Sequence, residues 1–66
     1  MDTINILADA LARASRLDIL RLDIQYNNKT DIYTGRVVLG YGKELSSWIV
    51  YDIHDNGTIK IVAHKD

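Results

Sequence analysis

Residues 48–62, W-I-V-Y-D-I-H-D-N-G-T-I-K-I-V, constrain this chain more than any other stretch. Two runs rich in β-branched and aromatic residues flank D-N-G, the composition of strands beside a turn. Asn and Gly accept left-handed backbone, so the stretch predicts an antiparallel hairpin. Loop length then sets its register. A two-residue turn at Asn56-Gly57 would place Ile53 beside Lys60 and Tyr51 beside Val62, mixing core with surface. A three-residue loop with Gly57 left-handed pairs Ile53 with Ile59, Tyr51 with Ile61 and Ile49 with Ala63. On the reverse face it pairs Asp52 with Lys60, Val50 with Val62 and Trp48 with His64. The second register satisfies every pair, so it is the expectation, with strands over residues 46–54 and 58–64.

Two more strands precede this hairpin. Leu20, Leu22, Ile24 and Tyr26 alternate with Arg21, Asp23 and Gln25. Residues 32–39 alternate likewise, with Tyr33, Gly35, Val37 and Leu39 on one side. Pairing Leu22 with Val37 puts Leu20 opposite Leu39 and Ile24 opposite Gly35. It also sets Asp23 against Arg36, so the apolar match and the charge match choose one register. N-N-K-T-D reads as the turn between them, because Asn and Asp bond locally to the backbone. G-Y-G-K-E reads as the next turn, with glycine for positive φ. It does not read as a phosphate loop, since no helix follows and no G-K-[ST] ends it.

Residues 3–16 read as a helix. Ile4, Leu7, Ala8, Leu11 and Ser15 share one face, and Asp2 or Thr3 can cap the first turn. Asp9 precedes Arg13 by four residues, the favourable order for an ion pair. Alanines at 8, 10, 12 and 14 favour helix and close packing. No Gly or Pro marks its end, which therefore falls between residues 16 and 20. Only Arg13 and Arg16 could meet phosphate and no second helix follows, so a helix-turn-helix is not supported.

The expected fold is α+β: one domain of residues 1–66, with the N-terminal helix on one face of a four-stranded antiparallel meander in the order 1-2-3-4. The helix must cover the face carrying Leu20, Leu22, Ile24, Tyr26, Tyr33, Val37, Leu39, Ile49, Tyr51, Ile53, Ile59, Ile61 and Ala63. Gly35, facing Tyr51, leaves room for the aromatic ring.

The other face is the informative one. The expected rows across it are Arg21, Val38, Trp48 and His64; then Asp23, Arg36, Val50 and Val62; then Gln25, Thr34, Asp52 and Lys60. A solvated sheet face is polar nearly throughout. Here Val38, Trp48, Val50 and Val62 form an apolar centre, rimmed by Arg21, Arg36, Asp23, Asp52 and Lys60. An apolar centre holding Trp within an Arg-bearing rim has the composition of a protein interface. The plainer alternative is that β-branched residues favour strands and Trp48 covers its neighbours.

Composition narrows the function classes. Sixty-six residues bury only about 60% of their unfolded surface. Chains shorter than roughly 70–80 residues usually rely on disulfides, metals or oligomerisation. There is no cysteine, so self-association, as a homodimer, is the first aid to expect. A formal net charge of −1 gives no basic excess for phosphate. No apolar run is long enough to span a membrane, and M-D-T-I-N does not open a secretory signal; a cytoplasmic protein is expected. No cofactor or metal is expected, because His54 and His64 lie on one face about 20 Å apart at 3.3 Å per residue. Asp52 beside His54 lacks a nucleophile and an oxyanion donor, so an enzyme is not expected.

The reading is a non-enzymatic protein-binding module using the Trp48 face, with Trp48, Val38, Val50, Val62, Arg21, Arg36, Asp52, Lys60 and His64 as contact residues. Its partner is a second copy or a larger protein. Small, acidic, cysteine-free αββββ domains suit phage and mobile-element accessory proteins that bind and inhibit a larger host protein, an analogy of size and type without a shared motif. The alternative is single-stranded nucleic-acid binding, with Trp48 and His64 stacking on bases and Arg21, Arg36 and Lys60 meeting phosphates.

Overall fold

The computed structural model describes residues 2–41 and 44–65, with side chains described for 3–41 and 47–65. Its elements are α1 (Asp2–Ser15), β1 (Asp18–Asn27), β2 (Ile32–Tyr41), β3 (Glu44–His54) and β4 (Ile59–Lys65). The strands form one antiparallel sheet in the order β1-β2-β3-β4, the arrangement short loops permit. Among the described residues no helix is long and apolar enough to cross a membrane.

The helix buries Ile4, Ala8 and Ala12, with Leu7 and Leu11 packed beside them. Asp9 and Arg13 form the expected ion pair at 2.8 Å. Asp2, one of the expected caps, begins the helix, and its side chain lies outside the described ones. The far end is closed without glycine. The Leu17 amide donates to the Ala12 carbonyl at 3.0 Å and the Arg16 amide to the Arg13 carbonyl at 3.2 Å. Arg16 takes φ 57°. This is the paired closure that usually places glycine at the left-handed position.

Register is where sequence and structure part. Between β1 and β2, Leu22↔Val37, Asp23↔Arg36 and Ile24↔Gly35 stand as expected. A bulge then intervenes, so Ile19 rather than Leu20 opposes Leu39. Between β2 and β3 the true register is two residues from the expected one. Gly35 opposes Ile53, Arg36 opposes Asp52, Val37 opposes Tyr51 and Val38 opposes Val50. A slip of one residue would flip every side chain to the other face; a slip of two preserves both faces, so their patterns could not reveal it. The room above Gly35 is not filled by Tyr51. Ile4 of α1 takes it: a Cβ on Gly35 would stand 2.3 Å from Ile4 Cγ2.

The β3–β4 hairpin has the three-residue loop. Gly57 has φ 95°, its amide donates to the His54 carbonyl at 2.9 Å, and the His54 amide donates to the Thr58 carbonyl at 2.8 Å. Ile53↔Ile59, Asp52↔Lys60 and Tyr51↔Ile61 follow. A bulge at Val62 then displaces the remaining pairs: Val50 opposes Ala63, Ile49 opposes His64 and Trp48 opposes Lys65. The expected pairs Val50–Val62, Ile49–Ala63 and Trp48–His64 do not form. Both edge strands thus carry a bulge. Bulges are common at sheet edges, where they bend the strand and interrupt a ladder that another chain could extend.

Three of the five residues of the expected G-Y-G-K-E turn are strand residues instead. Gly40 and Tyr41 belong to β2 and Glu44 begins β3; the rest of the expected turn, residues 42 and 43, lies outside the described residues.

The core is Ile4, Ala8, Ala12, Val37, Leu39 and Ile53. It sits under the helix over the central strands. Among the described residues α1 approaches β1, β2 and β3 but not β4. A helix is about 10 Å wide with its side chains, whereas four strands about 4.8 Å apart span about 14 Å. Ile59 and Ile61, expected in the core, are accordingly exposed.

Candidate binding face

Directly opposed residues of an antiparallel pair share a face. Val37, Leu39 and Ile53 point to the helix, so Arg36, Val38, Gly40, Trp48, Val50 and Asp52 point away from it. No described element covers that face. Its rows, read from β1 to β4, are Asp18, Gly40, Trp48 and Lys65; then Arg21, Val38, Val50 and Ala63; then Asp23, Arg36, Asp52 and Lys60.

The bulge in β1 turns Leu20 onto this face. Leu20 Cδ1 lies 2.7 Å from where a Cβ on Gly40 would stand. Gly40 therefore serves as a floor for Leu20 rather than as a turn residue. Leu20, Val38, Trp48, Val50 and Ala63 are each partly buried and adjoin one another in these rows. This is the apolar patch, with Ala63 opposite Val50 where Val62 was expected and with Leu20 added from β1. Neither addition was readable, because each depends on a bulge that no Gly or Pro announces.

His64, paired with Ile49, belongs to the helix side. It borders a 270 Å³ hollow at the end of the sheet, lined by Ser15 and Leu17 from the helix side and also by Gly40, Trp48 and Lys65. His54, opposite Thr34, stays on the uncovered side. The two histidines thus occupy opposite faces rather than one. Val62, the bulge residue, is 44% exposed on the edge strand and has no partner position in β3.

Two ion pairs lie on this face. Arg36 Nε and Nη2 donate to Asp52 Oδ1 and Oδ2 at 2.8 and 3.0 Å. Arg21 Nε donates to Asp23 Oδ2 at 2.7 Å. The Arg36 hydrogen bonds hold the Asp52 carboxyl below the usual carboxylate range, against the upward push of partial burial. Arg36 is raised in turn by the same bonds. Asp23, Gln25, Thr34, Arg36 and Asp52 line a 220 Å³ depression. It is polar, and its cation is already held by a carboxylate. Among the described residues no three His, Asp or Glu side chains group as a metal site.

Of the nine residues singled out from sequence, the structure gathers Trp48, Val38, Val50, Arg21, Arg36, Asp52 and Lys60 on one face. His64 leaves it and Val62 sits at its edge. No family model, no curated protein and no solved structure matches the chain.

Proposed function

We propose that this chain is a non-enzymatic protein-binding module, working in the cytoplasm, whose uncovered sheet face around Trp48 docks a protein partner. The observation that carries the reading is the contiguous patch of Leu20, Val38, Trp48, Val50 and Ala63 on a face that no described element covers. A sheet face with water on it is expected to be polar. An apolar centre with an aromatic anchor and a charged border is the composition of interfaces. Inhibition of a larger host protein by a phage or mobile-element product is an inference from size alone.

The alternative, single-stranded nucleic acid, has less support. Arg36 is engaged by Asp52 and Arg21 by Asp23, so two of its three cations already face carboxylates. His64, its second stacking group, is on the other side. The same engagement of carboxylates by guanidinium groups favours binding over catalysis.

Trp48→Ala is the test. The variant keeps its fold by circular dichroism, because Trp48 is outside the core, and loses binding by about 2 kcal/mol or more, as a central anchor does. Capture from a host lysate by wild type and variant, side by side, reads the loss. Unfolding of the variant would make Trp48 a core residue and defeat the reading.

A further inference from the structure

We propose that the partner of this face is a second copy of the chain, packed sheet against sheet about a two-fold axis that runs parallel to the strands between β2 and β3. The proposal rests on the binding reading above and deepens it.

The argument is the order of charges across the face. The third row reads Asp23, Arg36, Asp52, Lys60, which is minus, plus, minus, plus from one edge to the other. A two-fold along the strands lays β1 on β4 of the other copy and β2 on β3. Asp23 then faces Lys60, and Arg36 faces Asp52. A two-fold running along the row instead would set each charge on itself. The same operation treats the other rows consistently. Asp18 faces Lys65, Val38 faces Val50, and Trp48 meets Leu20 over Gly40. An isologous interface must be self-complementary in this way. Arg21 meets Ala63 across the axis and keeps Asp23 of its own copy as its partner.

Geometry and area agree. Two sheets that pack face to face keep their strands within about 30° of each other, which an axis along the strands permits. The molecule measures 36 × 18 × 16 Å. An outline of that size bounds the contact at roughly 650 Å² per copy, or about 1,300 Å² for the pair, the lower end of specific interfaces. The edges offer a poorer route, because the bulges at Leu20 and Val62 break the ladders that edge pairing would extend.

Paired charge reversals test both partner and axis. Sedimentation equilibrium of the full chain, from about 1 µM to about 1 mM, spans weak to standard interfaces. Wild type shows a monomer–dimer equilibrium. Lys60→Glu and Asp23→Lys each place like charges together at both symmetry-related contacts, and each raises the dissociation constant at least about tenfold. Mixed in equal amounts, the two variants restore the dimer as a heterodimer, since the carboxylate introduced at position 60 of one copy then faces the ammonium introduced at position 23 of the other. Both sites are on exposed edge strands, and circular dichroism checks that each variant is folded. A wild type that stays monomeric throughout overturns self-pairing and leaves the binding reading to the Trp48 capture experiment. A dimer that persists unchanged in both variants and in Trp48→Ala overturns self-pairing through this face and likewise leaves the binding reading to the capture experiment. Variants that weaken the dimer but fail to restore it on mixing overturn the proposed axis.

Discussion

Arg36 and Asp52 meet across the two central strands through two parallel hydrogen bonds of 2.8 and 3.0 Å. They are the planar, two-pronged match of guanidinium to carboxylate, stronger and more directional than a single contact. They also identify the β2–β3 register, since a slip of two residues would set Arg36 against Val50.

Acid should therefore weaken the fold through Asp52. Folding lowers its pKa, so its contribution is full above the ordinary aspartate value of about 3.9. It is lost as pH falls through the lowered folded value. Asp52→Asn is expected to cost roughly 0.5–1 kcal/mol near neutral pH, because Arg36 is more than half exposed. The gap between wild type and variant should narrow below about pH 4. Urea unfolding of dilute protein across the acid range measures this. A gap that stays constant with pH would mean that the carboxylate charge is not what stabilises.

Gly35 is the contact point of helix and sheet. A Cβ there would stand 2.3 Å from Ile4 Cγ2 and 3.6 Å from Leu22 Cδ1. Ile4 is fully buried and its Cγ2 is close to the helix backbone, so it cannot swing aside cheaply. Gly35→Ala should cost about 1–3 kcal/mol as an overpacked site. Ile4→Ala should cost about 2–5 kcal/mol through the cavity it leaves. In the double variant the new methyl enters that cavity, so the combined cost should fall below the sum by about 0.5 kcal/mol or more. Additive costs would show that the two residues are not in contact.

Arg16 closes the helix in a conformation that favours glycine. Its φ of 57° costs an L-residue about 1–2 kcal/mol relative to glycine. Arg16→Gly should therefore stabilise the protein by about 1 kcal/mol, raising Tm by about 4–8 °C for a domain of this size. Arg16→Ala keeps the strain and should not. Equal melting temperatures for the two variants would assign any gain to lost charge rather than to backbone.

The same residue explains what could be read in the chain and what could not. Helix, strands, meander order and the Gly57 loop follow from periodicity and turn chemistry, signals local to each segment. The helix end was illegible because Arg16 occupies a position where glycine is the usual marker. The β2–β3 register was illegible from faces alone, since a shift of two keeps parity, although Arg36 and Asp52 held the answer in their charges. The bulges at Leu20 and Val62 had no local marker at all. They set Ile19 in place of Leu20 opposite Leu39, and Lys65 in place of His64 beside Trp48. The residues expected on the uncovered face therefore stand on it across β1, β2 and β3, and depart from the expected order along β4.

Two isoleucines on the helix side of the hairpin make the clearest contrast in stability. Ile53 on β3 is fully buried, whereas Ile61 on β4 is 62% exposed. Alternation alone assigns both to the core. The difference is the width of the single helix, which reaches β3 and stops short of β4. Ile53→Ala should cost about 2–5 kcal/mol, with both transfer and cavity terms. Ile61→Ala should stay within about 0.5 kcal/mol, as for a surface substitution. Urea midpoints measure both, provided the slopes agree with wild type, since a changed slope would report a changed unfolded or native state instead. Comparable losses at the two positions would mean that β4 is covered on the helix side, by the helix or by another chain. Repeating the Ile61→Ala measurement at high and low protein concentration separates those two causes, because only a second chain makes the loss depend on concentration.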